Sequence, residues 1–188
     1  MSSALIVVDV QQGFDDAHYW GPRNNPSCES NIGLLIGHWR REGWPIVYVQ
    51  HDSLDPTSPL HPDSPGNAFK SVISGTPDLL VRKTVNSAFH GSPDLDSWLR
   101  ASDIDSIVIC GITTNHCCET TARVGSNLGY AVQFVLDATH TFDRIGPYWD
   151  EVTAEELSRI TGVNLHDEFA QIVKTRELVG GGFDGVVL

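Results

Sequence analysis

Three short apolar runs rich in β-branched residues punctuate the chain: Leu5-Ile6-Val7-Val8, Ile46-Val47-Tyr48-Val49 and Ile107-Val108-Ile109-Cys110. Apolar runs without strict alternation suit strands buried on both faces, which is the habit of parallel sheets. Weaker runs at Leu79-Leu80-Val81, residues 132–136 and residues 169–173 predict further strands. Between the runs the period changes to 3.6 residues. Ile32, Leu35, Ile36 and Trp39 mark a helix that Gly43-Trp44-Pro45 ends. Other helices are expected over residues 94–100, from about His116 to Leu128, and after Thr153, where acidic residues occupy the first turn. Strand and helix alternate, so the expected fold is a three-layer α/β/α sandwich built from βαβ units around a mostly parallel sheet.

Residues 52–75 break the pattern. They hold Pro56, Pro59, Pro62 and Pro65 among many Ser, Asp and Gly, with no period. Loops beyond ~12–15 residues are uncommon in compact domains and are often functional. This one leaves the carboxyl end of an expected strand, where open α/β sheets bind ligands, so it reads as a lid or pocket wall.

Composition narrows the function classes. The 188 residues fit one domain, residues 1–188, and no linker or repeat divides them. Twenty-four Asp and Glu against twelve Lys and Arg give a formal charge of −12. That balance argues against nucleic acid or an anionic membrane as partner, because phosphates are bound by clustered cations. The four cysteines, Cys28, Cys110, Cys117 and Cys118, form no CxxC pair and no disulfide framework. Met1-Ser2-Ser3 has no basic region before an apolar stretch, and the first apolar run is far short of the ~20 residues of a membrane span. The expected compartment is the reducing cytoplasm.

Three polar residues stand at expected strand ends. Asp9 directly follows four apolar residues, at the rim of the sheet. Lys83 follows Leu79-Leu80-Val81-Arg82. Cys117 lies in Gly111-Ile112-Thr113-Thr114-Asn115-His116-Cys117-Cys118, a strand-to-helix turn in which Thr114 or Asn115 is the expected N-cap. In a first helical turn the dipole and free N–H groups favour a thiolate and lower its pKa. Periodicity alone does not choose between Cys117 and Cys118. If strands one, three and four lie side by side and parallel, Asp9, Lys83 and Cys117 emerge together. Lysine would then stabilise the thiolate and aspartate would shuttle its proton.

Taken together, the segments Leu5 to Phe14, Arg82-Lys83-Thr84 with Ser87-Ala88-Phe89, and Gly111 to Cys117 with Thr120-Thr121-Ala122-Arg123 and Gly129-Tyr130 resemble the isochorismatase-like cysteine hydrolases. That family includes nicotinamidases and N-carbamoylsarcosine amidohydrolases, and the match runs over residues 4–178. The resemblance implies a six-stranded parallel, Rossmann-like sheet and a homo-oligomer, dimer or tetramer. It implies a triad of Asp9, Lys83 and Cys117, a thioester formed by attack on a carbonyl carbon, and a cis peptide before Thr113. The N–H groups of Thr113 and Cys117 would form the oxyanion hole. The implied substrate is a small amide, lactam or carbamoyl compound, with no cofactor.

Two departures sharpen this expectation. Cys118 replaces the family's common valine and is expected to pack. The Asp-x-His plus His set with which nicotinamidases hold a metal is not reproduced by Gln50-His51-Asp52-Ser53. His51, Asp52, His61 and Asp63 are the residues left for a divalent ion, and the expectation is that none binds. Literal isochorismatases cleave a vinyl ether without the cysteine, so Cys117 speaks against that activity. Phe14, Trp20, Phe89, Thr114 and His116 are the expected pocket residues, with the 142–149 segment and a neighbouring subunit as further sources of specificity. His38, His140 and His166 are expected to be structural or surface residues. Gly180-Gly181-Gly182-Phe183-Asp184-Gly185 opens no helix and reads as a tail rather than a phosphate loop.

Overall fold

A computed structural model describes residues 3–148 and 150–180. The apolar runs become strands β1 (Ala4–Val8), β2 (Ile46–His51), β3 (Leu79–Lys83), β4 (Ser106–Ile112), β5 (Ala131–His140) and β6 (Gln171–Val173). All six pair in parallel in the order β3-β2-β1-β4-β5-β6. The order reverses between β1 and β4, and both strands are central. Their side chains alternate between two apolar cores. Ala4, Ile6 and Val8 of β1 enter one core, and Leu5 and Val7 enter the other. That two-sided burial is why β1 lacks a polar face.

Helix α1 (Cys28–Glu42) covers one face, burying Ile32, Leu35, Ile36 and Trp39 at the expected spacing. Helices α2 (Leu95–Ala101), α3 (Glu119–Asn127) and α4 (Ala154–Leu165) follow on in the chain. Leu95 and Leu99 of α2, Ala122 of α3 and Leu165 of α4 fill the core on the opposite face. Asp94 caps α2 by accepting from the Ser97 N–H, and Thr153 with Glu156 forms a capping box on α4. A short antiparallel ribbon pairs Arg144–Ile145 with Glu151–Val152. No helix among the described residues is long and apolar enough to cross a membrane. Most of the 180–185 glycine segment, and Trp149, lie outside the described residues.

Two differences from the sequence expectation bear on the site. First, β2 separates β1 from β3, so the lysine strand is not beside the aspartate strand. Second, neither Thr114 nor Asn115 caps the helix after β4. The chain passes through a π-helical turn, Thr114–Cys118, before α3, and the Thr113 carbonyl accepts from the His116 and Cys118 N–H groups. The Thr114 hydroxyl instead donates to Thr139 Oγ1, and Asn115 Oδ1 accepts from the Thr141 hydroxyl. Both side chains therefore tie the turn to the end of β5 and the residue just after it.

Residues 52–75 are packed rather than free. Asn67, buried in a short 3₁₀ turn, donates through Nδ2 to the carbonyls of His51 and Leu60 and to Asp52. Its own carbonyl accepts from Gln11 and Gln50. The loop also crosses Gly13 so closely that a Cβ there would stand 2.6 Å from the Pro59 carbonyl oxygen.

Candidate active site

Because every strand runs the same way, the residues that end β1, β2, β3 and β4 meet at one edge of the sheet. Asp9 leaves β1 with φ 51°, a left-handed conformation uncommon for a residue with a side chain. Its N–H is held by the Val49 carbonyl of β2, and its carbonyl accepts from Gln11 N–H. On the other side, Gly111 lies opposite Val8 at φ 130°, and a Cβ there would fall 2.0 Å from the Val8 carbonyl oxygen. Only glycine lets β4 approach β1 this closely at the site. The peptide between Ile112 and Thr113 is cis.

The structure brings Asp9, Lys83 and Cys117 together. Lys83 Nζ is 2.6 Å from Asp9 Oδ2 and 3.5 Å from Cys117 Sγ. The Asp9 and Lys83 side chains are fully buried, and Cys117 is 8% exposed. Lysine's long stem lets Nζ cover the extra strand between β3 and β1. At the end of that strand stands His51, the register partner of Lys83, with Nδ1 3.2 Å from Nζ. Asp9, His51 and Cys117 each offer a donor atom within 4.8 Å of the others, and the cation these atoms surround is the Lys83 ammonium. The Asn86 amide oxygen lies 3.7 Å from Cys117 Sγ. Asp9 Oδ1 is buried without a hydrogen-bond partner among the described residues.

The electrostatics are set by burial and by this triad. Burial works against the Lys83 ammonium, but Asp9 and then Cys117 outweigh it and raise its pKa. Burial pushes the Cys117 thiol up to about 12, Asp9 pushes it in the same direction, and Lys83 opposes both. The expectation of a low-pKa thiolate is therefore corrected for the unliganded site. Burial and the neighbouring carboxylate favour the protonated thiol, against the pull of the Lys83 ammonium. Cys118 is wholly buried, and burial raises its thiol pKa well above the ordinary value. Cys28 and Cys110 are also free and buried, as expected of packing residues.

The expected pocket residues divide between the two cores. Phe14, Trp20 and Phe142 form an aromatic cluster, with ring centroids 4.9 Å apart for Phe14–Trp20 and 5.4 Å for Trp20–Phe142. The Trp20 indole donates to the Gly13 carbonyl. Phe89 lies in the opposite core, stacked on Tyr130 and behind Gly125 of α3. Thr114 is buried against β5, and His116 is half-buried, its pKa lowered by burial and by Arg144. The four residues named for a divalent ion do not converge. Asp52 pairs with Arg82 and Asn67, whereas His61 accepts from the Asp63 N–H in the loop.

Sequence reasoning assigned no purpose to Gln11 and no catalytic neighbourhood to His51. Gln11 is buried, and its amide both donates to the His51 carbonyl and accepts from the His51 N–H. It fixes the end of β2 to the end of β1. The available signal was position: His51 follows the Ile46–Val49 run at the same spacing as Lys83 follows the Leu79–Val81 run.

In this α/β class of fold, a thiol, an ammonium and a carboxylate gather at the carboxyl edge of a doubly wound parallel sheet, where the strand order reverses and where such sheets bind ligands. Comparison with known proteins makes the class specific. The isochorismatase domain model matches residues 3–154. YrdC, an isochorismatase-family protein of Bacillus subtilis, is 42% identical over 180 residues, 94% of each chain. A ureidoacrylate amidohydrolase of Cronobacter sakazakii is 32% identical, covering 73% of this chain and 74% of its own. The solved structure of an isochorismatase-family hydrolase from Chromobacterium violaceum superposes with a TM-score of 0.89 at 33% identity, covering 95% of this chain and 92% of that one. The chain belongs to the isochorismatase family of hydrolases, enzymes that act on small molecules.

Proposed function

We propose that the protein hydrolyses a C–N bond in a small amide, lactam or carbamoyl compound through a thioester on Cys117. The observation that carries this reading is the position of Lys83 Nζ, within hydrogen-bonding distance of both Asp9 Oδ2 and Cys117 Sγ. Asp9 Oδ1, buried and without a hydrogen-bond partner among the described residues, is the oxygen free to take the thiol proton. As substrate binds, the Cys117 proton passes to Asp9, and the thiolate, stabilised by Lys83, attacks the carbonyl carbon. The N–H groups of Thr113 and Cys117 receive the oxyanion. The tetrahedral intermediate collapses, the C–N bond breaks, and Asp9 returns the proton to the departing nitrogen. Water then attacks the thioester, releasing the acid and restoring the thiol. A protonated resting thiol suits this order of events, because the nucleophile forms only when a carbonyl is present to receive it. The amidohydrolase relative supports the C–N assignment.

The test is an ammonia-release screen over amides, lactams and ureides with wild type and Cys117→Ala. The expected result is activity in wild type alone. Equal release by both proteins removes the thioester mechanism. In parallel, iodoacetamide should label Cys117 faster than Cys118, read by peptide mass spectrometry, and the opposite order would remove Cys117 as nucleophile.

A further inference from the structure

An ammonium has three N–H donors and no acceptor capacity. Lys83 Nζ has three neighbours suited to receive them: Asp9 Oδ2 at 2.6 Å, His51 Nδ1 at 3.2 Å and Cys117 Sγ at 3.5 Å. Because Nζ only donates, Nδ1 of His51 must present its lone pair, and the ring is neutral with its proton on Nε2. The surroundings enforce the same state. Burial lowers the His51 pKa, the Lys83 charge lowers it further, and Asp9 and Asp52 oppose them without prevailing. The His51 backbone is pinned independently of its ring, by Gln11 on N–H and carbonyl and by Asn67 on the carbonyl.

Position explains why a third acceptor matters here. β2 stands between the strands that carry Lys83 and Asp9, so the lysine stem must cross the end of β2. His51, paired with Lys83 in register, is the residue over which it crosses. With only Asp9 and Cys117 as partners, the ammonium would keep one buried N–H unpaired and would be free to turn about its stem.

We propose that His51 is a positioning residue: its neutral Nδ1 takes the third N–H of Lys83 and holds the ammonium between Asp9 and Cys117. The proposal rests on the thiol mechanism above, so its test reads the free protein without substrate. Below a thiol's pKa its alkylation rate tracks the thiolate fraction, and a tenfold fall in rate corresponds to a one-unit rise in pKa. His51→Leu removes the acceptor. The iodoacetamide rate at Cys117, measured at pH 8, should fall about tenfold, the scale of one lost hydrogen bond to a charged group. His51→Asn places Oδ1 near the position of Nδ1 and should restore most of the rate. His51→Asn should melt close to wild type, because the clamp to Gln11 and Asn67 uses the His51 backbone, whereas His51→Leu should melt somewhat lower through the N–H it leaves unpaired. On an amide found in the screen, the loss should fall on kcat, with KM within about twofold. A wild-type alkylation rate in His51→Leu overturns the proposal. So does an equal loss in His51→Asn when that variant melts as wild type. Activity surviving in Cys117→Ala would refute the thioester mechanism instead, leaving the alkylation comparison to judge His51 alone.

Discussion

His140, at the end of β5, is fully buried, and neither ring nitrogen has a hydrogen-bond partner among the described residues. Its Nε2 lies 3.9 Å from Glu29 Oε1, but that carboxylate is already engaged by Arg23 at 2.7 and 2.8 Å and by Lys70 at 2.7 Å. Burial, with the Arg23 and Lys70 charges, pushes the His140 pKa down to about 3, Glu29 opposing. The ordinary value is ~6.5. Between those limits the unfolded chain binds a proton that the folded chain refuses, so stability is complete above pH 6.5 and is lost as pH falls towards 3. At pH 5 the unfolded histidine is about 1.5 units below its pKa and the folded one is still neutral. This single residue should therefore cost about 2 kcal/mol between pH 7 and pH 5. Glu29 contributes little in that window. Burial raises its pKa, but the Arg23 and Lys70 contacts dominate and hold it well below the carboxylate range, so its contribution is lost only at lower pH. His140→Leu removes the titration and leaves no unpaired polar atom behind. Urea unfolding of both proteins at pH 7 and pH 5 should show wild type losing about 2 kcal/mol more than the variant. Parallel losses would refute the claim that His140 is held neutral by its surroundings.

Two further perturbations probe the site and its wall. Lys83→Met leaves Asp9 buried without its partner and should destabilise by about 3–5 kcal/mol in urea titrations, with loss of Cys117 alkylation. Wild-type stability would show that the pair is solvated rather than buried. Asn67→Ala removes the donor to His51, Leu60 and Asp52, and should cost about 1–3 kcal/mol while opening residues 52–75 to limited proteolysis. Unchanged cleavage would mean that the loop is held elsewhere.

The three polar residues of the site were legible because each follows an apolar run, and a parallel sheet sends all such ends to one edge. The helix spacing of Ile32 to Trp39 and the helix start after Thr153 were legible for the same reason: both are local. Strand order was not. Nothing between residues 9 and 83 says that β2 will lie between their strands, so neither the reach asked of Lys83 nor the role open to His51 was visible. Thr114 and Asn115 misled as caps because their partners, Thr139 and Thr141, lie far along the chain, at the end of β5 and just beyond it. The thiol's high pKa was missed because helix-terminus arguments omit burial, the larger effect here. Asn67 looked like one more polar residue in a loop, and its contacts to His51, Gln11 and Gln50 exist only once β1 and β2 have paired.

The wide sequence separation within the site has a consequence for synthesis in the cell. Asp9 and Lys83 are 74 residues apart, Lys83 and Cys117 are 34 apart, and the strand pair that joins them, β1 with β4, closes across just over a hundred residues. Non-local pairing of this kind forms late, because chain closure must precede the contacts that reward it. A nascent chain therefore carries an ordinary cysteine at position 117 until the central strands have met. The ammonium and carboxylate environment of that thiol is a property of the completed sheet, so its labelling pattern is an intrinsic reporter of whether a given molecule has finished folding.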